Sequence, residues 1–271
     1  MDTNDLTARL LELHHGESPL VVPNPWDAGS ARVLQWLGFE ALATTSSGLA
    51  STMGRLDGAV SKDETLVHAA AIVAATEIPV TADLVNGFAD DPAAVARTVT
   101  DAGATGLAGC SIEDFTGIEQ SPIYDRQLAV DRITAAAEAA HRGPARLVLT
   151  ARAENYLHSA PDLADTIARL QAFQEAGADV LYAPGVKAAA DIRSLVSSVD
   201  LPVNVLLLPD GPDVAELTAL GVRRISVGGS LAYAALDGLV QAARELREQG
   251  TAGFLERSAR GREAARAAFA G

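Results

Sequence analysis

Glu175-Ala-Gly-Ala-Asp-Val-Leu-Tyr-Ala183 sets the punctuation of the whole chain. The same outline recurs in Gln35-Trp-Leu-Gly-Phe-Glu-Ala-Leu-Ala-Thr44, Asp101-Ala-Gly-Ala-Thr-Gly-Leu-Ala-Gly109 and Ala219-Leu-Gly-Val-Arg-Arg-Ile-Ser-Val227. In each, an amphipathic pattern stops at a glycine and an apolar run begins shortly after. Glycine takes the left-handed conformation past a helix end cheaply, so the pattern marks a helix-to-strand turn. Four further runs have strand character: Pro19-Leu-Val-Val-Pro23, Ile78-Pro-Val-Thr-Ala82, Ala145-Arg-Leu-Val-Leu-Thr150 and Leu201-Pro-Val-Asn-Val-Leu-Leu207. Helix starts lie between them. Ser61-Lys-Asp-Glu64 is a capping box, and Asp91-Pro92, Pro161-Asp162 and Pro212-Asp213 put proline and acid at first turns. Eight strands alternating with helices predict an α/β fold, a (β/α)8 TIM barrel. A doubly wound open sheet is the alternative, but it usually has fewer units and often a Gly-x-Gly-x-x-Gly turn after its first strand, which this chain lacks.

The 271 residues suit one barrel domain over 1–271, with no linker or low-complexity segment dividing it. Residues 231–271 hold more helix than the last unit needs, in two stretches, Leu231 to Gln249 and Ala252 to Ala270. This extension either covers the barrel's own floor or packs on a neighbouring subunit. Apolar residues make up 48% of the chain but aromatics only 4%, so Ala, Val and Leu must fill the core. A net charge of −14 argues against nucleic-acid and anionic-membrane partners, which need clustered Lys and Arg. One cysteine, Cys110, excludes an intrachain disulfide framework and a cysteine-based zinc site, in keeping with a cytoplasmic protein. Neither a signal peptide nor a membrane span is expected.

Chemistry in such a barrel gathers where the strands end. The run Ile78-Pro-Val-Thr-Ala-Asp83 delivers a carboxylate there, before Asn86-Gly87 and a new helix at Asp91-Pro92. Asp83 is therefore the first place to look for a metal. Glu113 ends the neighbouring strand, and Asp57 stands in the long loop after the second. Oxygen ligands at loose spacing suit Mg2+, or Mn2+, which keeps several waters and takes one or two carboxylates directly. Taken singly, either acid could instead cap a helix or pair with an arginine. Arg152 follows the fifth apolar run, where its guanidinium fork could clamp a small acid or pair internally with Glu154 or Glu113. Ser46-Ser47-Gly48-Leu49 offers hydroxyls and amides to an anion. The five histidines lack metal-ligand spacing, and only His158 falls near the mouth. No strand ends in the lone lysine of a Schiff-base aldolase.

These residues occur together, in order, in a known pattern. Asn24-Pro-Trp-Asp-Ala-Gly-Ser-Ala-Arg32, Thr45-Ser-Ser-Gly48, Leu56-Asp-Gly58, Val80-Thr-Ala-Asp83, Ile112-Glu-Asp114, Leu149-Thr-Ala-Arg152, Ala176-Gly-Ala-Asp-Val-Leu181 and Leu201-Pro-Val-Asn-Val205 resemble the isocitrate lyase/phosphoenolpyruvate mutase superfamily. The resemblance implies a barrel whose last helix is swapped between subunits, in a homodimer or homotetramer. It implies Mg2+ and small α-oxo or α-hydroxy acids, with reactions that pass through a pyruvate-type enolate. Asp83 would ligate the metal directly, Asp57 and Glu113 through water. Ser47, Gly48, Leu49, Arg152 and Asn204 would bind substrate, with Arg152, Glu113 and Asp57 as the catalytic set.

Two departures stand out. The superfamily's second acid, two residues past the metal aspartate, is Val85 here. The Lys-Lys-Cys-Gly-His loop of isocitrate and methylisocitrate lyases is replaced by Phe115-Thr-Gly-Ile-Glu-Gln-Ser-Pro-Ile-Tyr124, which excludes those two activities. The expectation is a metal-dependent lyase or decarboxylase of a small di-acid. The alternatives are phosphoenolpyruvate mutase or phosphonopyruvate hydrolase chemistry at a P–C bond, and a barrel that binds a carboxylate without catalysis.

Overall fold

Strands β1 (Leu20–Val22), β2 (Leu42–Ala43), β3 (Val80–Asp83), β4 (Gly109–Glu113), β5 (Val148–Arg152), β6 (Val180–Tyr182), β7 (Val203–Leu206) and β8 (Arg224–Ser226) pair in parallel around a ring. The computed structural model describes residues 2–143 and 145–270. Its strands run in chain order, β1 returning to β8. At the remaining seam Ala43 N donates to Pro23 O at 3.1 Å. Asn24 rivets that seam: its Nδ2 donates to Thr44 O at 3.1 Å, and its Oδ1 accepts from Val227 N at 3.0 Å.

Helices α1 (Thr3–His14), α2 (Ala28–Trp36), α3 (Ser46–Thr52), α4 (Lys62–Ala75), α5 (Pro92–Gly103), α6 (Arg126–Arg142), α7 (Leu163–Glu175), α8 (Ala189–Ser197), α9 (Val214–Ala219), α10 (Ser230–Arg244) and α11 (Leu255–Phe269) surround the ring. The (β/α)8 barrel is therefore as the punctuation predicts. Start signals act as their chemistry requires. Glu64 Oε2 accepts from Ser61 N at 2.9 Å, and Asp91 Oδ2 accepts from Ala94 N at 2.9 Å with Pro92 following. Asp162 and Asp213 cap α7 and α9 from just outside, one position before the first turn where the sequence places them. Among the described residues no helix is long and apolar enough to cross a membrane.

Side chains alternate across each strand. In β5, Leu149 and Ala151 face the helices, while Val148, Thr150 and Arg152 face the barrel axis from floor to mouth. The interior thus grades from apolar to ionisable within three alternate positions. Its floor is Leu20, Val22, Val148 and Val180, closed by Leu10 of α1. Nothing in the sequence of α1 points to this plug. Thr7 Oγ1 ties it down by donating to Arg146 O at 2.8 Å. The C-terminal extension does not cover the floor: α11 lies on the barrel's side against α2, with the Phe269 ring beside Gly29. α10 buries only Ala232 and leaves Tyr233, Leu236, Leu239 and Val240 exposed.

Leu10 is fully buried, so Leu10→Ala opens a cavity at the floor. The expected loss is about 2–5 kcal/mol of unfolding free energy, measured by urea denaturation. A loss below about 1 kcal/mol would show that α1 is an appendage.

Candidate active site

Arg152 organises the mouth. It ends β5, directly opposite Glu113 in the β4–β5 register. Its Nη1 lies 3.0 Å from Asp83 Oδ1, its Nη2 3.2 Å from Glu113 Oε2, and its Nε 2.8 Å from Glu154 Oε1. Its guanidinium carbon is 5.1 Å from the centre of the Tyr182 ring. Burial opposes the Arg152 charge, but Glu154, Glu113 and Asp83 together more than reverse that and hold its pKa well above the ordinary value. Both internal pairs weighed for this arginine form, and Asp83 joins them.

The turn after β3 fixes Asp83. Its Oδ1 accepts from Val85 N at 3.2 Å as well as from Arg152, and its Oδ2 accepts from Ser46 N at 3.2 Å. Val85 adopts φ 45 and Phe88 φ 59, a region costly for side-chain-bearing residues and more so for a β-branched one. Val85 O in turn accepts from Glu113 N at 3.0 Å, so this strained turn couples the two strand ends.

Two connected cavities open at the mouth. The smaller, about 180 Å3, is lined by Ser47, Asp57, Asp83, Arg152 and Asn204 among others, and reaches down to Thr150 and Arg224. The larger, about 600 Å3, is lined by Leu49, Asp57, Asp83, Val85, Glu113, Phe115, Arg152, Glu154 and His158 among others. Asp57, Asp83 and Arg152 border both. The structure thus brings together Asp57, Asp83, Glu113 and Arg152, with Ser47 and Asn204 on the inner side. Asn204 donates to Ser226 Oγ at 3.0 Å. Ser46-Ser47-Gly48-Leu49 is the first turn of α3 and not an open loop. Thr45 caps that turn, taking the Gly48 amide on Oγ1 and the Leu49 amide on its carbonyl. Ser47 Oγ, 3.1 Å from Thr45 Oγ1, lines the smaller cavity, and Leu49 lines the larger. Gly48 is needed for close packing, since a Cβ there would meet Thr45 Cγ2 at 2.5 Å.

His158 stacks on Phe115 with ring centres 3.6 Å apart, closing one side of the larger cavity. Residues not singled out from the sequence complete the site. Asp114 Oδ1 accepts from Glu154 N at 2.7 Å, and Arg169, reaching in from α7, donates to Asp114 Oδ2 at 3.2 Å and to Tyr124 O at 2.9 Å. The inward alternation Thr150-x-Arg152 and Arg224-x-Ser226 was the available signal for the interior set.

Among the described residues no group of three or more His, Cys, Asp or Glu is arranged as a metal cluster. An oxygen-ligated divalent ion nevertheless fits. Asp83 Oδ2 accepts one hydrogen bond and keeps a lone pair, Asp57 borders the same space, and the surrounding acids outnumber Arg152. Asp83 would hold such an ion directly, with Asp57 and Glu113 contributing through water.

The profile of phosphoenolpyruvate phosphomutase matches residues 10–247. The chain belongs to that family. Its superfamily, with isocitrate lyase, is the one the motifs resemble. A Burkholderia cenocepacia J2315 protein provisionally assigned as a lyase/mutase is 48% identical, with TM-score 0.94 over 97% of this chain and 95% of its own. Oxaloacetate decarboxylase 2 of Pseudomonas fluorescens Pf0-1 is 30% identical over 92% of this chain and 87% of its own. The structure of a 2,3-dimethylmalate lyase is 27% identical, with TM-score 0.83 over 92% and 89% of the two chains. This family member is accordingly an enzyme whose relatives include carbon–carbon lyases.

In this family member Glu113 and Glu154, which pair with Arg152, and the adjoining Asp114 are protonated more readily than free acids. Burial raises the Glu113 pKa well above its usual range; Arg152 opposes this, while Glu154, Asp83 and Asp114 reinforce it. Burial likewise raises Glu154 against the pull of Arg152. Burial pushes Asp114 from 3.8 up to about 6, although the Glu154 amide and Arg169 hold it down. A carboxyl raised in the folded state adds stability at low pH that is lost as pH rises through its folded value. The Asp114 share, at most about 3 kcal/mol, should therefore fade between roughly pH 4 and pH 6 in metal-free buffer. Urea midpoints across that window should fall less steeply for Asp114→Asn than for wild type. Equal slopes would contradict the assignment.

Proposed function

We propose that the chain is a Mg2+- or Mn2+-dependent carbon–carbon lyase of small α-oxo or α-hydroxy di-acids, with decarboxylation of an oxaloacetate-like substrate as its simplest reaction. The observation that supports this most is the placement of Arg152, charged and locked by three carboxylates, on the border of both cavities. Preorganised charge where negative charge develops is what an enolate-forming step requires. Breaking the bond to the departing carboxylate releases CO2 and sends the electron pair toward the oxo oxygen, giving the pyruvate enolate. A proton added at carbon then completes pyruvate. Arg152 holds the oxyanion, and the easily protonated Glu113, which also borders the larger cavity, returns the proton. A divalent ion held by Asp83 would supply Lewis-acid charge to the developing enolate. The Pseudomonas decarboxylase and the dimethylmalate lyase, both named for di-acids, support the substrate class. The larger cavity has Leu49, Val60, Val85, Phe88, Phe115 and Leu157 on its walls, which suits a group that leaves uncharged.

The uncovered apolar face of α10 supports a homodimer or homotetramer joined through the C-terminal helices. Light scattering should give the mass of two or four chains; a monomer at micromolar concentration would contradict this.

Purified protein with Mg2+ should release pyruvate from oxaloacetate or a 2-methylmalate-like acid above the enzyme-free rate. Asp83→Ala and Arg152→Ala should each lower turnover by about 100-fold or more. Unchanged rates in both variants would remove the lyase assignment, and turnover confined to phosphonopyruvate would replace it with P–C chemistry.

A further inference from the structure

Arg152 is surrounded by carboxylates; the barrel's second interior guanidinium has none. Arg224 points inward from β8 and is only 5% exposed. Its Nη1 donates to Thr150 Oγ1 at 2.9 Å, and its Nε has no partner. Among the described residues no aspartate or glutamate forms an ion pair with it, unlike Arg152 and Arg169. The titratable groups that act on it are Tyr182 and the like-charged Arg152, with His14 of α1 held neutral by burial. Asn204, paired with Arg224 across the β7–β8 ladder, is also half satisfied. Its Nδ2 meets Ser226 Oγ and its Oδ1 meets nothing; exchanging amide O and N would present a donor there instead.

A buried guanidinium without a counter-anion is a standing cost to the fold. Such a cost is common where a ligand supplies the missing charge. Arg224 borders the smaller cavity, together with the polar side chains of Asn24, Thr150, Tyr182, Asn204 and Ser226. Its volume of about 180 Å3 is under a third of the larger cavity's 600 Å3. It opens past Arg152 into the larger, more apolar cavity. The two compartments therefore differ in kind. One is small and has Arg224 at its inner end, beneath the Asp57, Asp83 and Arg152 that border both, so that end suits a group that stays charged. The other is roomier, with apolar walls interrupted by Glu113, Glu119 and Glu154 and without Arg224, and suits a group that departs neutral.

We propose that Arg224 is the floor of the substrate site and binds the carboxylate that the reaction retains, so that the scissile bond lies at Arg152 and the departing group projects into the larger cavity. This assignment rests on the lyase reading above and names the residue that recognises the carboxylate beside the oxo or hydroxy carbon. Esters and amides at that carboxylate are excluded, because they leave the Arg224 charge unanswered.

Calorimetric titration in Mg2+ with pyruvate and with pyruvamide, its uncharged amide, isolates that one interaction. Wild type should bind pyruvate at least tenfold more tightly than pyruvamide. Arg224→Met should bind the two alike, and Arg224→Lys should keep part of the preference. The ligand-free melting temperature of Arg224→Met should equal or exceed that of wild type, since an uncompensated cation gives way to an apolar chain of similar length. A full acid preference in Arg224→Met overturns the proposal, as does its absence in wild type. If Arg224→Met does not fold, an undiminished preference in Arg224→Lys overturns it and a several-fold loss supports it. Binding is read without turnover, so the two assignments fail separately. An Arg224-dependent acid preference in a protein inactive on all di-acids contradicts only the lyase reading. An active decarboxylase whose Arg224→Met variant keeps the preference contradicts only this one.

Discussion

The ion cluster centred on Arg152 is the interaction on which the rest of the mouth depends. One guanidinium meets Asp83, Glu113 and Glu154, contributed by β3, β4 and the segment after β5. In a low-dielectric interior such an arrangement is held by mutual need. Removing Arg152 leaves buried acids unanswered, and removing any one acid changes how the others share the remaining charge. The cluster still carries more negative than positive groups, and burial, reinforced by the neighbouring acids, raises the pKa of Glu113 and Glu154 against the pull of Arg152. A site of this kind can take a further cation, a proton or both, and all are useful where an enolate is made and quenched.

Below the mouth, the fold supports this chemistry by grading its interior. Apolar side chains seal the floor around Leu10, hydroxyls and amides occupy the middle, and ionisable groups stand at the rim. Strand alternation brings these residues to one face and their order along each strand sets the gradient, so each barrel strand contributes to stability and function with different residues two positions apart. Arg224 is the exception to the gradient. It places a full positive charge beneath the rim, with Thr150 as its hydrogen-bond partner and, among the described residues, no acid paired with it.

Much of this was legible in the sequence, for physical reasons. Helix-to-strand turns need glycine, and buried parallel strands need apolar runs, so Gly38, Gly177 and Gly221, all at positive φ, announced the barrel; at the remaining turn Gly103 is the last residue of α5 and Gly106 takes the left-handed conformation instead. Asp83 and Arg152 stood out because each ends such a run. Other features depend on partners far apart in the chain. Nothing near Arg169 shows that it reaches Asp114 from α7, 55 positions away. Nothing near Thr3–His14 shows that this helix plugs the floor. Ser46-Ser47-Gly48-Leu49 has ordinary loop composition, and only Thr45 as a cap reveals a helix start. The divergence at Val85 was visible as a missing acid, but its φ of 45 and its hydrogen bonds linking Asp83 to Glu113 were not.

The central claim is that the surplus of acid around Arg152 makes room for a divalent cation, and that cation and guanidinium together hold an oxo-acid anion. Oxalate, a planar mimic of the pyruvate enolate, tests it most directly when titrated calorimetrically in Mg2+ and again in excess EDTA. The account predicts saturable oxalate binding in Mg2+ that weakens at least tenfold in EDTA. Oxalate binding of equal strength in both buffers would contradict it.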